Sequence, residues 1–182
     1  MAWRLIGEST VWDDLMFPAV GINPTGSPTA PTLDNDNGWM SFDPNTQQVL
    51  AIQVQLPHRW KEGSTLYPHV HWSKSTADVG SVVWQLEYKW LPIGQTMDTS
   101  WTVLTVSTPI TATPDGNIAR QHLISSFTPI AATGKKISDM LIMKLSRLAP
   151  DAADTYAAAA LFYQYDIHIE IDSMGSNFEF IK

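Results

Sequence analysis

An all-β fold, an antiparallel β-sandwich of the jelly-roll type with about eight strands, follows from three features of the 182-residue sequence. From Gly38 onward apolar residues recur every second position, the period of a half-buried strand. The periodic runs are separated by Pro, Gly, Asn and Asp, which break strands and favour turns. No run has the 3.6-residue periodicity of an amphipathic helix longer than two turns. Many short strands in one domain suit two packed sheets, which bury their inner faces against each other.

The elements follow in chain order. Residues 1–37 hold four prolines, Pro18, Pro24, Pro28 and Pro31, with Gly21 and Gly26 among them. Proline fixes one torsion and lacks a donor, so this segment is expected to be an irregular N-terminal arm, and residues 38–182 the sandwich domain. Trp3, Trp12, Leu15, Met16 and Phe17 in the arm need burial, either against the chain's own sheet or across a neighbouring subunit. Strands are expected at Gly38 to Phe42, Gln48 to Leu56, Leu66 to Lys74, Ser81 to Leu91, Trp101 to Ser107, Arg120 to Phe127, Asp139 to Leu148 and Leu161 to Asp172.

The clearest is Ser81 to Leu91, with Val82, Trp84, Leu86, Tyr88 and Trp90 on the core face and Val83, Gln85, Glu87 and Lys89 opposite. In the last strand Leu161, Tyr163, Tyr165, Ile167, Ile169 and Ile171 oppose Phe162, Gln164, Asp166, His168, Glu170 and Asp172. The last two strands are expected to pair as a hairpin, and Ala157 to Ala160 allows a helical turn between them.

Composition narrows the partners. Charged residues are 16% of the chain, and the net charge is -7 with only 11 scattered basic residues, which argues against nucleic acid as a partner. Cysteine is absent, so no disulfide or thiolate zinc site can form. No stretch approaches the roughly 20 apolar residues of a membrane span, and the first residues lack a secretory pattern, so no membrane is expected. There is no GxSxG, Walker or GxGxxG motif, and no catalytic residue is expected. Asp34 to Gly38 (DNDNG) begins like a calcium loop, but its twelfth position is Asn45, so a plain turn is expected.

The segment with most chemistry is Leu56 to Trp72, LPHRWKEGSTLYPHVHW, with three of the five histidines and two of the eight tryptophans. On a strand His69, His71 and Ser73 share one face, and Val70 and Trp72 the other. Two imidazoles spaced two apart can reach one divalent ion, with His122 or His168 as a third ligand and Asp166 or Glu170 beside the latter. Gly63 before the pair and Gly80 after it resemble the first motif of the cupins, metal-binding jelly rolls. The glutamate that resemblance requires is absent, with Ser75 and Thr76 in its place. Three roles stay open for the pair: hydrogen-bonded structure, a subunit contact, and a metal site. The missing glutamate sets the metal reading behind the others, and no cofactor is expected. The candidate interface set is Trp3, Trp12, Phe17, Trp60, His69 and His71.

Taken together, Gln55 to Trp72, WQLEYKW (Trp84 to Trp90), SDMLIMKLSR (Ser138 to Arg147), DTY (Asp154 to Tyr156) and YDIHIEIDSMGS (Tyr165 to Ser176) resemble a group of small tailed-bacteriophage virion structural proteins. The resemblance implies a non-enzymatic virion component made in the host cytoplasm. A capsid decoration or cement subunit, forming a homotrimer and contacting the major capsid protein, is the first expectation. A head-to-tail connector or tail component that binds receptor carbohydrate is the second, and a cupin-like metal-binding enzyme using His69 and His71 the third.

Overall fold

The structure, a computed structural model, describes residues 11–22, 30–111 and 118–181. Among these residues there is no α-helix, and ten strands form two antiparallel sheets. The strands are β1 (Val11–Pro18), β2 (Thr32–Asp34), β3 (Trp39–Phe42), β4 (Gln48–Gln55), β5 (Tyr67–Lys74), β6 (Gly80–Leu91), β7 (Thr102–Ile110), β8 (His122–Ser126), β9 (Met140–Arg147) and β10 (Ala160–Ile171). One sheet runs β2-β3-β10-β5-β8, and the other β4-β9-β6-β7. From β3 to β6 the chain changes sheet at every strand, and from β7 to β10 it does so again, which is the jelly-roll-like path.

The core lies between the sheets. Trp72, Phe162, Tyr165, Ile167 and Phe42 meet Trp84, Leu86, Leu50, Met143 and Leu145, all fully buried. Trp84 packs edge-on against Phe42, with ring centroids 5.1 Å apart, and against Trp72 at 5.9 Å. Such aromatic pairs add about 0.5–1.5 kcal/mol each beyond their area burial. The even periodicity of β6 is realised, since Val82, Trp84, Leu86 and Trp90 all turn inward.

Four expectations are corrected. The arm is not irregular throughout: β1 pairs residue for residue with Gln164 to Ile171 of β10, and η1, a short 3-10 turn at Ala19–Gly21, follows it. All four prolines lie at or after position 18, so Val11 to Phe17 keeps every donor, and the strand ends on Pro18. Thr32–Asp34 forms a further strand against β3 directly after Pro31.

Second, β9 and β10 are not a hairpin. They belong to opposite sheets, because Leu141, Met143 and Leu145 reach the core from one side and Phe162, Tyr165 and Ile167 from the other. Buried Arg147 holds the crossing segment: its guanidinium donates to Asp154 Oδ1 at 2.7 Å and Oδ2 at 3.0 Å, to Ala158 O at 2.7 Å and to Tyr156 O at 2.5 Å. No helical turn forms at Ala157 to Ala160.

Third, the two faces of β10 do not alternate evenly. A bulge at Tyr163 shifts the register, so Phe162 and Tyr165 both face the core while the Tyr163 hydroxyl bonds Ser73 Oγ on the outer face, 2.5 Å away.

Fourth, Trp60 is no surface contact. It is fully buried, and its backbone bridges to Ile171. The Asp34 segment is a turn as expected, with Asp34 Oδ1 accepting from the Asp36 and Asn37 amides; the Asn37 bonds hold its carboxyl below the usual range.

Candidate functional site

β5 lies between β10 and β8, and the register of these strands fixes what meets on the sheet's outer face. His69 stands opposite Asp166 of β10 and Ser126 of β8. One step along, His71 stands opposite Gln164 and Ile124. His168 lies between Asp14 of β1 and Tyr67 of β5, and His122 lies opposite Ser73. Val70 and Trp72 point the other way, into the core, as strand alternation requires.

The side chains on this face form one connected group. His69 Nε2 and His71 Nε2 are 3.0 Å apart. Asp166 Oδ2 is 3.2 Å from His71 Nε2 and 3.7 Å from His69 Nε2. His71 Nδ1 is hydrogen-bonded to His122 Nε2 at 2.8 Å, and the two rings stack. The His69 ring lies 4.6 Å from that of His168, whose Nε2 is 3.2 Å from Asp14 Oδ1. His58, in contrast, sits elsewhere between Ser176 and Ser138.

Burial shapes the electrostatics. The side chains of His69, His71 and Asp166 are only 10%, 20% and 7% exposed. Desolvation pushes the His71 imidazole below its ordinary pKa; the neighbouring His69 and His122 push the same way, and only Asp166 opposes them. Burial, and secondarily Asp166, hold the Tyr165 hydroxyl behind this face well above its usual range.

Beside the histidines opens a cleft of about 500 Å³ lined by Trp12, Tyr67, His69, Ser126 and His168. Trp12 and Tyr67 meet edge-on at 5.3 Å and are 47% and 41% exposed. This aromatic pair joins β1 to β5, a proximity that no local motif encodes.

The residues singled out in the sequence thus part company. His69, His71 and Trp12 lie on one face, and Phe17 packs half-buried against Tyr165. Trp60 is core, and Trp3 lies outside the described residues. Of the third ligands considered, Asp166 reaches the pair, His122 supports it through His71, and Glu170 is engaged by Lys61 at the far end of β10.

No protein-family model matches the chain, and no curated protein matches it. Among solved structures, the mosquito-larvicidal Cry4Aa toxin of Bacillus thuringiensis is similar over 87% of this chain at 14% identity and a TM-score of 0.47. The Cellvibrio japonicus Abf62 module CBM35 is similar over 92% of this chain and 100% of its own, at 10% identity and a TM-score of 0.44. Arthrobacter globiformis T6 isomalto-dextranase is similar over 85% of this chain at 16% identity and a TM-score of 0.43. The chain spans 23% of the toxin and 23% of the isomalto-dextranase. None of these likenesses carries a function to this chain.

Proposed function

We propose that the protein is a non-catalytic structural subunit of a phage virion, of the capsid decoration type, which works by burying surface against copies of itself and capsid protein. The observation that supports this is the placement of large apolar side chains outside the core. Val11, Trp12 and Met16 on edge strand β1 are 37%, 47% and 63% exposed. Met174, Phe178, Phe180 and Ile181 at the other end of the chain are 57% to 82% exposed. Runs of exposed Trp, Met and Phe mark surfaces that another protein covers. The five segments resembling phage virion proteins support placing that partner in a particle. Low charge and an aromatic-rich surface suit repeated weak contacts made strong by symmetry.

A second reading uses the same aromatic pair: Trp12 and Tyr67 at the mouth of a largely apolar cleft that also presents His69, Ser126 and His168 can stack on a sugar ring, as a receptor-binding tail component would require. One variant serves both. Trp12→Ser with Met16→Ser changes only exposed positions, so the fold is kept. Light scattering should show wild type as a multiple of 20.2 kDa and the variant as a smaller species that no longer co-sediments with capsids. Wild type that stays monomeric and ignores capsids, yet binds a glycan array through Trp12, would replace the assembly reading with the sugar one.

A further inference from the structure

Assembly gives no use to the three groups gathered at the centre of the β5–β10 face. We propose that His69, His71 and Asp166 bind one divalent first-row transition metal ion, such as Zn²⁺, through His69 Nε2, His71 Nε2 and a carboxylate oxygen of Asp166.

The geometry is the first argument. The three donor atoms are separated by 3.0, 3.2 and 3.7 Å, as ligands sharing one ion are. A point about 2.1 Å from all three, the usual zinc bond length to nitrogen or oxygen, lies only about 0.8 Å off the plane they define. The ion therefore fits without moving a donor atom. Two imidazoles and one carboxylate suit Zn, Fe, Ni or Cu, and the nitrogen ligands disfavour Ca and Mg.

The surrounding shell is the second argument. Ligating histidines hold their tautomer through the other ring nitrogen. His71 Nδ1 meets His122 Nε2, and His69 Nδ1 faces Tyr67 O at 3.5 Å, so both rings can turn Nε2 to the ion. Strand pairing sets the rest, since His69 and Asp166 are direct cross-strand partners.

The third argument is an unmet need. Asp166 Oδ1 is buried and has no hydrogen-bond partner among the described residues. Without an ion, the groups within 4 Å of Asp166 Oδ2 are the two imidazole nitrogens His71 Nε2 and His69 Nε2, and Oδ1 has neither. A buried carboxylate so poorly served is costly. A divalent cation takes a lone pair from each of His69 Nε2, His71 Nε2 and Asp166 Oδ2, and its charge offsets that of the buried carboxylate, Oδ1 included. The Trp12–Tyr67 cleft opens beside His69, one of the three ligands.

The test uses the full chain without a histidine tag. Titration with Zn²⁺ followed by calorimetry should give one ion per chain. His71→Gln and Asp166→Asn should each weaken binding by at least about a hundredfold, and His122→Gln by about ten- to a hundredfold. His58→Gln should leave it unchanged. Because the variants alter buried positions, nitrogen NMR of wild-type histidines gives a second readout: Zn²⁺ should move Nε2 of His69 and His71 and leave His58 in place. Absence of saturable binding, wild-type affinity in both ligand variants, or shifts confined to His58 would overturn the proposal.

Discussion

Arg147→Met tests the claim that one buried ion pair carries the chain from the second sheet to the first. Arg147 and Asp154 are 0% and 1% exposed, so neither charge has water to fall back on. Removing one partner of a buried pair costs about 3–5 kcal/mol, because the other charge stays behind unpaired. Two further acceptors, Tyr156 O and Ala158 O, lose their donor, and each can add about 1–3 kcal/mol if water does not replace it. Among the described residues the Asp154 carboxylate keeps the Val83 amide as a donor, at 3.0 Å.

The expected loss is therefore about 4 kcal/mol or more, a third or more of the stability of many domains. In urea, with a slope of about 2 kcal/mol/M, the fluorescence midpoint should fall by about 2 M. Adding Asp154→Asn removes the stranded charge while still accepting from Val83, so the double variant should recover part of the loss. A single-variant loss below about 1 kcal/mol, or losses that simply add in the double variant, would show that the guanidinium is not the clamp.

Two further substitutions probe the frame around the site. Gly80 has a φ of +147°, and a Cβ there would lie 2.8 Å from the backbone N and Cα of Tyr156, so Gly80→Ala should cost about 1–3 kcal/mol in chemical denaturation. A change within 0.3 kcal/mol, roughly the resolution of such comparisons, would mean the crossing segment yields without resistance. Trp60→Ala should cost about 3–5 kcal/mol and lower the melting temperature by about 10 °C, because a fully buried indole leaves a cavity. If it instead melts like wild type, Trp60 is not part of the core.

Strand positions were legible wherever burial on one face imposed a two-residue period, which is why the eight expected runs from Gly38 onward match β3 to β10 within a few residues. β1 was hidden because prolines dominate its neighbourhood; the proline-free run Val11 to Phe17 was the available signal. Pairing was less legible than position. The alternation does not distinguish a β9–β10 hairpin from two strands that cross the sandwich, since Leu141, Met143 and Leu145 have the same two-residue period whichever sheet brings them to the core. The Tyr163 bulge hid in an otherwise clean alternation, because one extra residue changes the face without changing the composition.

The histidine pair shows why the same limit bears on function. Spacing along one strand puts His69 and His71 on one face, and a carboxylate sought a few positions further on is missing, since Ser75 and Thr76 stand there. In a sheet the nearest neighbours of a side chain are cross-strand as well as two residues away. The acid that meets the pair is Asp166, almost a hundred positions along the chain but directly opposite His69, and its own strand is set in place by the Arg147 crossing and flanked by β1. A missing glutamate within one segment therefore weakens the likeness to a particular motif, and leaves untouched the chemistry that two imidazoles and a facing carboxylate can perform.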